Sequence, residues 1–277
     1  MSTEPLRQVL DTPGPVRLHV ESGRGRIVVH AAEQQTTDIT LTGPRADEVR
    51  VTQDGRRVTV LAPKPRNGIF GRGDELLIEV VVPVDSDLVA RSGSAAITAS
   101  GRLMTTRVKS GSGAVALDQA TTVVVATGSG DVTVAEVDGD ARVRTGSGAV
   151  DLGRIARSAS VSTGSGDVCL GQALGTAVVK TGSGDLEVGE SRGDLTSKTG
   201  SGDVVVRTAR RGRIFVKGAS TRVHVGVPVG TPVWTDVTSV TGRVTSTLPP
   251  VGRPEPGADH VELRATTVSG DIALVPA

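Results

Sequence analysis

Three aspartates that could bind a cation recur at intervals of 18 residues, each directly after a Gly-Ser-Gly tripeptide: Asp167, Asp185 and Asp203. If the repeats stack like neighbouring strands, the carboxylates lie ~5 Å apart, where two unit charges repel by about 0.8 kcal/mol in water. A bound Ca²⁺ would relieve this repulsion, although it requires about 6–8 oxygen ligands. The other interpretation is that each aspartate caps its corner through local backbone hydrogen bonds, with Lys180 and Lys198 nearby as partners. We favour capping and keep a calcium ladder as the alternative.

One loop combines basic and apolar side chains in a way that suits a binding surface. Within residues 64–73 these are Lys64, Arg66, Ile69, Phe70 and Arg72. The apolar pair could anchor a protein partner, and the flanking cations could meet an anionic membrane surface. The alternative is that Phe70 folds back and closes one end of the molecule. This loop is the first candidate site, with an unidentified protein as the expected partner and a membrane surface as the second choice.

A second group of cations lies near the end of the repeats: Arg207, Arg210, Arg211, Arg213, Lys217 and Arg222. Such a run could contact nucleic-acid phosphates. Binding of single strands also needs aromatic side chains on which bases stack, and none is interleaved with this run. The formal net charge of the chain is only +1, so no overall field attracts nucleic acid. We therefore interpret the run as a solvated face and predict no nucleic-acid partner.

No arrangement of side chains in the sequence indicates catalysis or a resident cofactor. The four histidines are scattered without metal-ligand spacing: His19, His30, His224 and His260. The single cysteine, Cys169, lies in an apolar strand pattern, which predicts a buried and inert thiol. No nucleophile elbow is present, and no helix follows the glycines. We predict a non-enzyme without catalytic, cofactor or metal residues; a β-helix enzyme that acts on polysaccharides through paired carboxylates is the second alternative.

The composition limits the chemistry of the core. The chain has 277 residues, 36 of them glycine, and its aromatic residues are Trp234, Phe70 and Phe215. Burial must therefore come from valine, leucine, isoleucine and alanine, which suits a thin core between closely stacked strands. One cysteine allows no intramolecular disulfide. The first residues form no apolar leader segment and no run is long enough to span a membrane, so we expect a cytoplasmic protein, with export by an uncommon route left open.

The elements that position these side chains follow from a repeat. Gly-Ser-Gly begins at residues 111, 128, 146, 164, 182 and 200, at steps of 17 or 18. Val-x-Thr precedes most of these tripeptides and Asp-Val-x-Val or a variant follows them, so each repeat holds two short strands joined by a corner. Stacking places equivalent residues in columns, and one column of valines (Val143, Val161, Val179) is expected to continue through Ser197 and Phe215. A second corner is predicted at three further glycines: Gly139, Gly175 and Gly193.

The segments on either side of the repeat also indicate strands. Residues 1–15 are polar and contain prolines, which predicts a flexible lead-in, and residues 16–90 form an irregular β region with a hairpin at Asp54-Gly55. The 18-residue solenoid occupies residues 91–218, and residues 219–277 form a C-terminal β cap that contains Trp234. The predicted fold class is all-β: a β-solenoid of stacked two-strand coils in one continuous structural unit.

The recurring Thr-Gly-Ser-Gly-Asp-Val pattern, closed by Thr267-Val268-Ser269-Gly270-Asp271-Ile272, resembles a family of bacterial β-strand-repeat proteins over roughly residues 16–275. These proteins have a toast-rack fold and are known as candidate adhesins of unknown function. The resemblance implies a β-solenoid-like stack, no assigned catalytic residue, and a link to envelope stress or regulation. The Gly-x-Gly-Asp segments are also similar to calcium-binding β-rolls, whose repeat has about nine residues.

A rigid series of equivalent coils offers a long and regular surface. The sequence therefore predicts a non-catalytic scaffold or binding protein, similar to an adhesin, whose partner is unidentified.

Overall fold

A computed structural model describes residues 4–63, 75–249 and 259–277. The chain divides into two compact units, residues 1–135 and 136–277. The regular structure of the described residues is β-strand, apart from one turn of 3₁₀-helix at Ala46–Glu48. The predicted all-β fold is thereby confirmed. The loop of Lys64, Arg66, Ile69, Phe70 and Arg72 lies outside the described residues.

The strands of the first unit form two sheets that share one long strand. They are β1 (Leu6–Asp11), β2 (Arg17–Ser22), β3 (Gly25–Ala32), β4 (Thr36–Thr42), β5 (Arg50–Asp54), β6 (Arg57–Leu61), β7 (Leu76–Pro83), β8 (Asp87–Ser92), β9 (Ala96–Ser110) and β10 (Val115–Thr127), and β11 (Val132–Val137) leads into the second unit. One sheet runs β1-β4-β7-β3-β9 and the other β5-β6-β2-β8-β9. Strand β10 continues in parallel beside β9.

Strand β9 can serve both sheets because it bends at Gly101. Its first half pairs with β3 and its second half with β8. Gly101 has φ +77°, and a Cβ there would lie 2.3 Å from the carbonyl oxygen of Ala31. Only glycine fits both the backbone angle and this close approach. The bend therefore fixes the course of the chain around the core of the first unit.

The N-terminal segment differs from the expected flexible lead-in. Residues 6–11 form β1, which pairs antiparallel with β4. The pairing is fastened by an ion pair between Arg7 and Asp38 (Nη2 to Oδ2, 2.9 Å) and by a buried hydrogen bond between the hydroxyls of Thr12 and Thr37. Without β1, the edge of β4 would leave its backbone groups unpaired.

The second unit is a parallel β-solenoid of two-strand coils. Its strands are β12 (Asp140–Thr145), β13 (Val150–Ile155), β14 (Ser158–Thr163), β15 (Val168–Ala173), β16 (Thr176–Thr181), β17 (Leu186–Ser191), β18 (Leu195–Thr199), β19 (Val204–Ala209), β20 (Gly212–Lys217), β21 (Val223–Val227), β22 (Val233–Ser239), β23 (Val244–Ser246), β24 (Val261–Thr267) and β25 (Ile272–Pro276). Each strand from β12 to β17 pairs in parallel with the strand two further along the chain.

The core of this unit consists of columns of apolar side chains. Val143 lies opposite Val161, which lies opposite Val179, and all three are almost completely buried. The parallel column of Leu152 and Leu170 faces it from the other strand of each coil. Because every coil repeats the same inward positions, the predicted stacking with an 18-residue register is confirmed from β12 to β18.

A bend within the second strand of each coil was not predicted. In β13 the buried positions are Val150, Leu152 and Ile155, so the alternation skips one residue at Gly153. The next coil repeats this bend at Gly171, whose Cβ would lie 2.4 Å from the carbonyl oxygen of Gly153. The 18-residue spacing of these glycines is visible in the sequence and marks the bend.

The valine column does not continue into Phe215 as expected. Between β18 and β20 the register step is 19 residues, so Ser197 lies opposite Val216, and Phe215 lies opposite Thr196. The phenyl ring is half-buried on the outer face. The extra residue lies in the corner at Arg210 and Arg211, where the preceding coil has only Arg192.

Ser197 gives a prediction about stability. Its side chain is fully buried between Val179 and Val216, and its hydroxyl has no hydrogen-bond partner among the described residues. We expect Ser197→Ala to stabilise the protein by about 1 kcal/mol, because an unpaired buried hydroxyl is removed. Thermal unfolding measures the effect, with Ser162→Ala on the exposed face as the neutral control. A lower unfolding midpoint for Ser197→Ala would contradict the prediction.

The last coil of the sequence is not the last coil of the stack. Strand β24 pairs with β20 on one side and β22 on the other, and β25 pairs in the same way with β21 and β23. The C-terminal coil is therefore inserted between two coils that precede it in sequence. Strands β22 and β23 form the outer coil at this end of the unit.

Candidate functional site

The Gly-Ser-Gly corner is built so that coils can stack closely. In the corner after β14, the hydroxyl of Thr163 accepts a hydrogen bond from the amide of Gly166 at 2.9 Å, and the amide of Gly164 donates to the carbonyl of Gly146 in the coil before. Thr145 and Thr181 cap their corners in the same way. The buried threonines thus satisfy the backbone at each bend.

The aspartate ladder also binds backbone, but between coils. The Oδ1 atom of Asp167 accepts a hydrogen bond from the amide of Asp185 at 2.9 Å, and Asp185 accepts one from the amide of Asp203 at 2.7 Å. Asp203 ends the series in a pair of hydrogen bonds from Arg222. Asp167 and Asp185 therefore each cap the next coil, whereas Asp203 pairs with a side chain. Capping was predicted, but within one corner; the neighbouring-lysine partnership was wrong, since Lys180 and Lys198 form no ion pair with any described residue.

No clear metal site accompanies the ladder. Across residues 4–63, 75–249 and 259–277, no group of three histidine, cysteine, aspartate or glutamate side chains is arranged to hold a metal ion. The histidines lie apart: His19 bonds Glu21 (2.7 Å) and His30 bonds Ser100 (2.6 Å) in the first unit.

The basic run near the end of the repeats is largely neutralised. The guanidinium groups of Arg207 and Arg210 bind Glu187 and Glu190, each at 2.6 Å. The remaining partners are in neighbouring coils: Asp259 for Arg211, Glu262 for Arg213 and Asp203 for Arg222. Most of this run is therefore part of an ion-pair network between coils.

Glu190 lies at the centre of this network and gives a pH prediction. Hydrogen bonds from Arg192 and then Arg210 lower the pKa of its carboxyl group. A lowered folded pKa adds stability above the ordinary glutamate pKa of about 4.3, and this stability is lost as the pH falls further. We expect Glu190→Gln to lower the unfolding midpoint by a few degrees at most at neutral pH, with the difference closing below that pKa. Unfolding midpoints measured against pH check this, with exposed Glu33→Gln as control; a constant difference down to acid pH would contradict it.

One row of cations in the second unit remains without such partners. Lys180, Lys198 and Lys217 lie opposite one another on β16, β18 and β20, and all three are exposed. We call these three residues the lysine column. No ion pair within the described part of the chain involves any of them, nor Arg144, which lies in the same column on β12.

Cys169 lies on the outer face, where it is half-buried rather than buried. Its neighbours across the strands are Asp151 and Glu187. Burial raises the pKa of the thiol, and these two carboxylates raise it further. The thiol is therefore mostly protonated at neutral pH, which disfavours nucleophilic chemistry.

The outer coil at the C-terminal end exposes positions that face the core elsewhere. Val233, Val237 and Val244 line an open depression of about 320 Å³ together with Leu274. Trp234 lies on the outer face of β22, half exposed, with the guanidinium of Arg264 at 5.1 Å from its ring centre. This end combines apolar surface with an exposed aromatic ring.

Comparison with known proteins identifies the repeat. The model of the family described as Toastrack DUF4097 matches residues 16–275. A comparison with curated proteins gave no significant match. In the described residues no helix is long and apolar enough to cross a membrane.

Three solved structures illustrate the likeness. A candidate adhesin from Parabacteroides merdae has 13% identity and a TM-score of 0.51, covering 79% of this chain and 95% of that one. A candidate adhesin from Bacteroides fragilis has 10% identity and a TM-score of 0.37, covering 99% and 98%. A candidate lipid-binding protein from Parabacteroides distasonis has 13% identity and a TM-score of 0.40, covering 98% and 96%. At these identities the likeness concerns the fold alone.

Proposed function

The chain belongs to the Toastrack family DUF4097, and on that premise we propose that it is a non-catalytic binding scaffold of adhesin-like type. The observation that supports this most directly is the stacking of coils in register, which repeats the same outward positions from β12 to β18. Repeated outward positions on a rigid stack give a surface suited to an extended partner.

The chemistry of the described side chains supports a binding role over a catalytic one. Hydrogen bonds, chiefly from Arg192 and Arg213, lower the pKa of Glu190 and Glu262. Such carboxylates stay charged at neutral pH and are poor general acids, which need a raised pKa. The half-buried Cys169, with its raised pKa, is a poor nucleophile. These groups are part of the structural network and not an activated site.

The two alternatives from the sequence receive less support. In a calcium-binding roll the aspartate oxygens would be available to the ion, whereas Asp167 and Asp185 already cap backbone amides. An enzyme acting on polysaccharides would place paired carboxylates beside a sugar site. The described carboxylates with lowered pKa values are instead paired with arginines.

Retention on cell-envelope material tests the proposed function. Purified protein is incubated with isolated envelope and extracellular polymer from a native host, and the bound fraction and any soluble breakdown products are measured over time. Saturable retention without release of products is expected. Time-dependent release of reducing sugar or other products would identify an enzyme and overturn the proposal, as would no retention at all. Adding Ca²⁺ or a chelator should leave retention unchanged; dependence on Ca²⁺ would favour the calcium-binding roll.

A further inference from the structure

The lysine column is a row of like charges without ion-pair partners among the described residues of the second unit. Lys180, Lys198 and Lys217 lie on adjacent coils at the strand spacing of ~4.8 Å. At that distance two like charges repel by about 0.9 kcal/mol in water. Nearby arginines such as Arg207 and Arg213 each have a carboxylate partner, but these lysines have none among the described residues. An arrangement of this kind is stabilised by an anion from outside the chain.

The cations form a single line, not a plane. Beyond the Gly-Ser-Gly corner on one side runs the aspartate ladder, including Asp167 and Asp185. On the other side the next outward positions are neutral, Val178, Thr196 and Phe215, one on each of the same three strands. An anionic membrane is a plane, and pressing it against this face would also bring it towards the aspartates. A chain molecule lying along the column meets the cations without that repulsion.

The charge spacing and the neighbouring residues favour a polymer of low charge density. Duplex DNA carries a phosphate about every 3.4 Å along each strand, closer than the lysines, and single strands bind through several aromatic platforms. Among the residues that the structure describes, Phe215 is the one aromatic side chain beside the column. In a linear chain of uronic acids each sugar carries one carboxylate, which is a lower charge density than the one charge per ~1.7 Å of duplex DNA.

We propose that the lysine column, with the adjoining face of Val178, Thr196 and Phe215, binds a single chain of a linear uronic-acid polysaccharide parallel to the stack of coils. The ammonium groups pair with those carboxylates of the chain that face the column, and exposed serines of the corners, such as Ser183, offer hydroxyls to the sugar. Phe215 offers an apolar face to one ring. The inference deepens the proposed function and rests on it, since it names the class of partner that the scaffold binds.

Fluorescence anisotropy with a labelled galacturonate oligomer, long enough to span the three coils, tests this at low salt. We expect the triple variant Lys180→Gln, Lys198→Gln, Lys217→Gln to bind about tenfold more weakly, because three exposed charge pairs are lost. The triple variant with arginine at the same positions should bind at least as tightly as the original chain, since the charges remain and guanidinium groups pair well with carboxylates. Equal binding by the glutamine variant and the original chain would overturn the proposal.

A matched control removes three cations elsewhere. Arg26, Arg50 and Arg57 are exposed in the first unit and have no ion pair within the described residues. Changing all three to glutamine gives the same net charge as the test variant and should leave the affinity unchanged. An equal loss of affinity in both variants would show that only the net charge of the protein matters. That result would contradict specific binding at the lysine column. Methyl-esterified galacturonate, which lacks the charges, should not bind.

Competing ligands identify the class of partner. Polyphosphate, a single-stranded oligonucleotide and vesicles of anionic lipid are added as competitors against the labelled oligomer. Weaker competition by all three than by unlabelled galacturonate supports the proposal, and tighter binding of any of them overturns it. If the original chain and the glutamine variant are both retained on envelope material, the proposed scaffold function is supported. The lysine column is then not the surface that binds.

A uronic-acid polymer lies outside the cytoplasm, contrary to the location expected from the sequence. Protease treatment of intact host cells distinguishes a location outside the cytoplasm from one inside it. The amounts of this protein and of a cytoplasmic marker protein that remain intact are measured after treatment. Loss of the protein with the marker intact supports the glycan partner, and full protection of the protein contradicts it.

Discussion

Replacing Gly166 by alanine is expected to destabilise the protein by about 3 kcal/mol, at the upper end of what overpacking costs in a closely packed interior. A Cβ at this position would lie 1.9 Å from the carbonyl oxygen of Gly148 in the preceding coil and 2.6 Å from its carbonyl carbon. These are backbone atoms held by the hydrogen bonds of the stack, so no side chain can turn aside to make room. The corner has to open, and with it the spacing between two coils.

Chemical denaturation, followed by circular dichroism, measures the effect of Gly166→Ala. Gly14→Ala is the control, because nothing lies within 4 Å of a Cβ at Gly14. That change should be neutral or slightly stabilising, since alanine lowers the entropy of the unfolded chain by an amount worth about 0.4–1 kcal/mol. A loss of less than about 1 kcal/mol for Gly166→Ala would mean that the corners can separate without unfolding, contrary to the close stacking described above.

Close stacking also explains why so much of the second unit could be predicted from the sequence. A period of 18 residues places Val143, Val161 and Val179 in one column once each repeat forms one coil, and no long-range information is needed. The Gly-Ser-Gly corners follow from the change in alternation between Thr163 and Val168. The bend at Gly153 is not among the predicted corners, although Gly153, Gly171 and Gly189 recur with the same 18-residue spacing.

Where the repeat changes length or order, the sequence is a poorer guide. One additional residue at Arg210 and Arg211 shifts Phe215 from the core to the outer face, since side chains alternate along a strand. The position of β24 between β20 and β22 depends on pairing between segments far apart in the chain, which periodicity does not encode. Local patterns fix the columns, whereas the order of the last coils is decided by tertiary contacts.

The charged side chains of the candidate site also depend on contacts between coils that local sequence patterns do not show. In the sequence, Arg207 and Arg210 look like unpaired cations because their partners lie 20 residues earlier, in the preceding coil. The lysine column was not recognised, since Lys180 and Lys198 were assigned to the aspartates that follow them in sequence. Stacking separates the two sets on either side of the corner. Charge balance in a solenoid therefore has to be evaluated along the columns and not along the chain.

Truncation of a buried side chain in the core columns should lower the free energy of unfolding by about as much as adding a Cβ at a corner glycine. Leu170 has no exposed surface and lies between Leu152 and Val188 in its column. We expect Leu170→Ala to lower the free energy of unfolding by about 3 kcal/mol, within the range for buried leucines, because apolar contacts are lost and a cavity remains. The buried apolar side chains among the described residues of the second unit are all valine, leucine, isoleucine or alanine, so no large aromatic side chain is available to move into the space.

Gln172→Ala on the same strand is the matched control, because Gln172 is exposed and its truncation should change the free energy of unfolding by less than about 0.5 kcal/mol. Hydrogen exchange adds a second readout. In a stack where each coil contacts only its neighbours, Leu170→Ala should reduce amide protection most in β13, β15 and β17 and less in strands further away. Uniform loss of protection throughout the second unit would show that it unfolds as one cooperative block, and unchanged stability would show that the column does not support the fold.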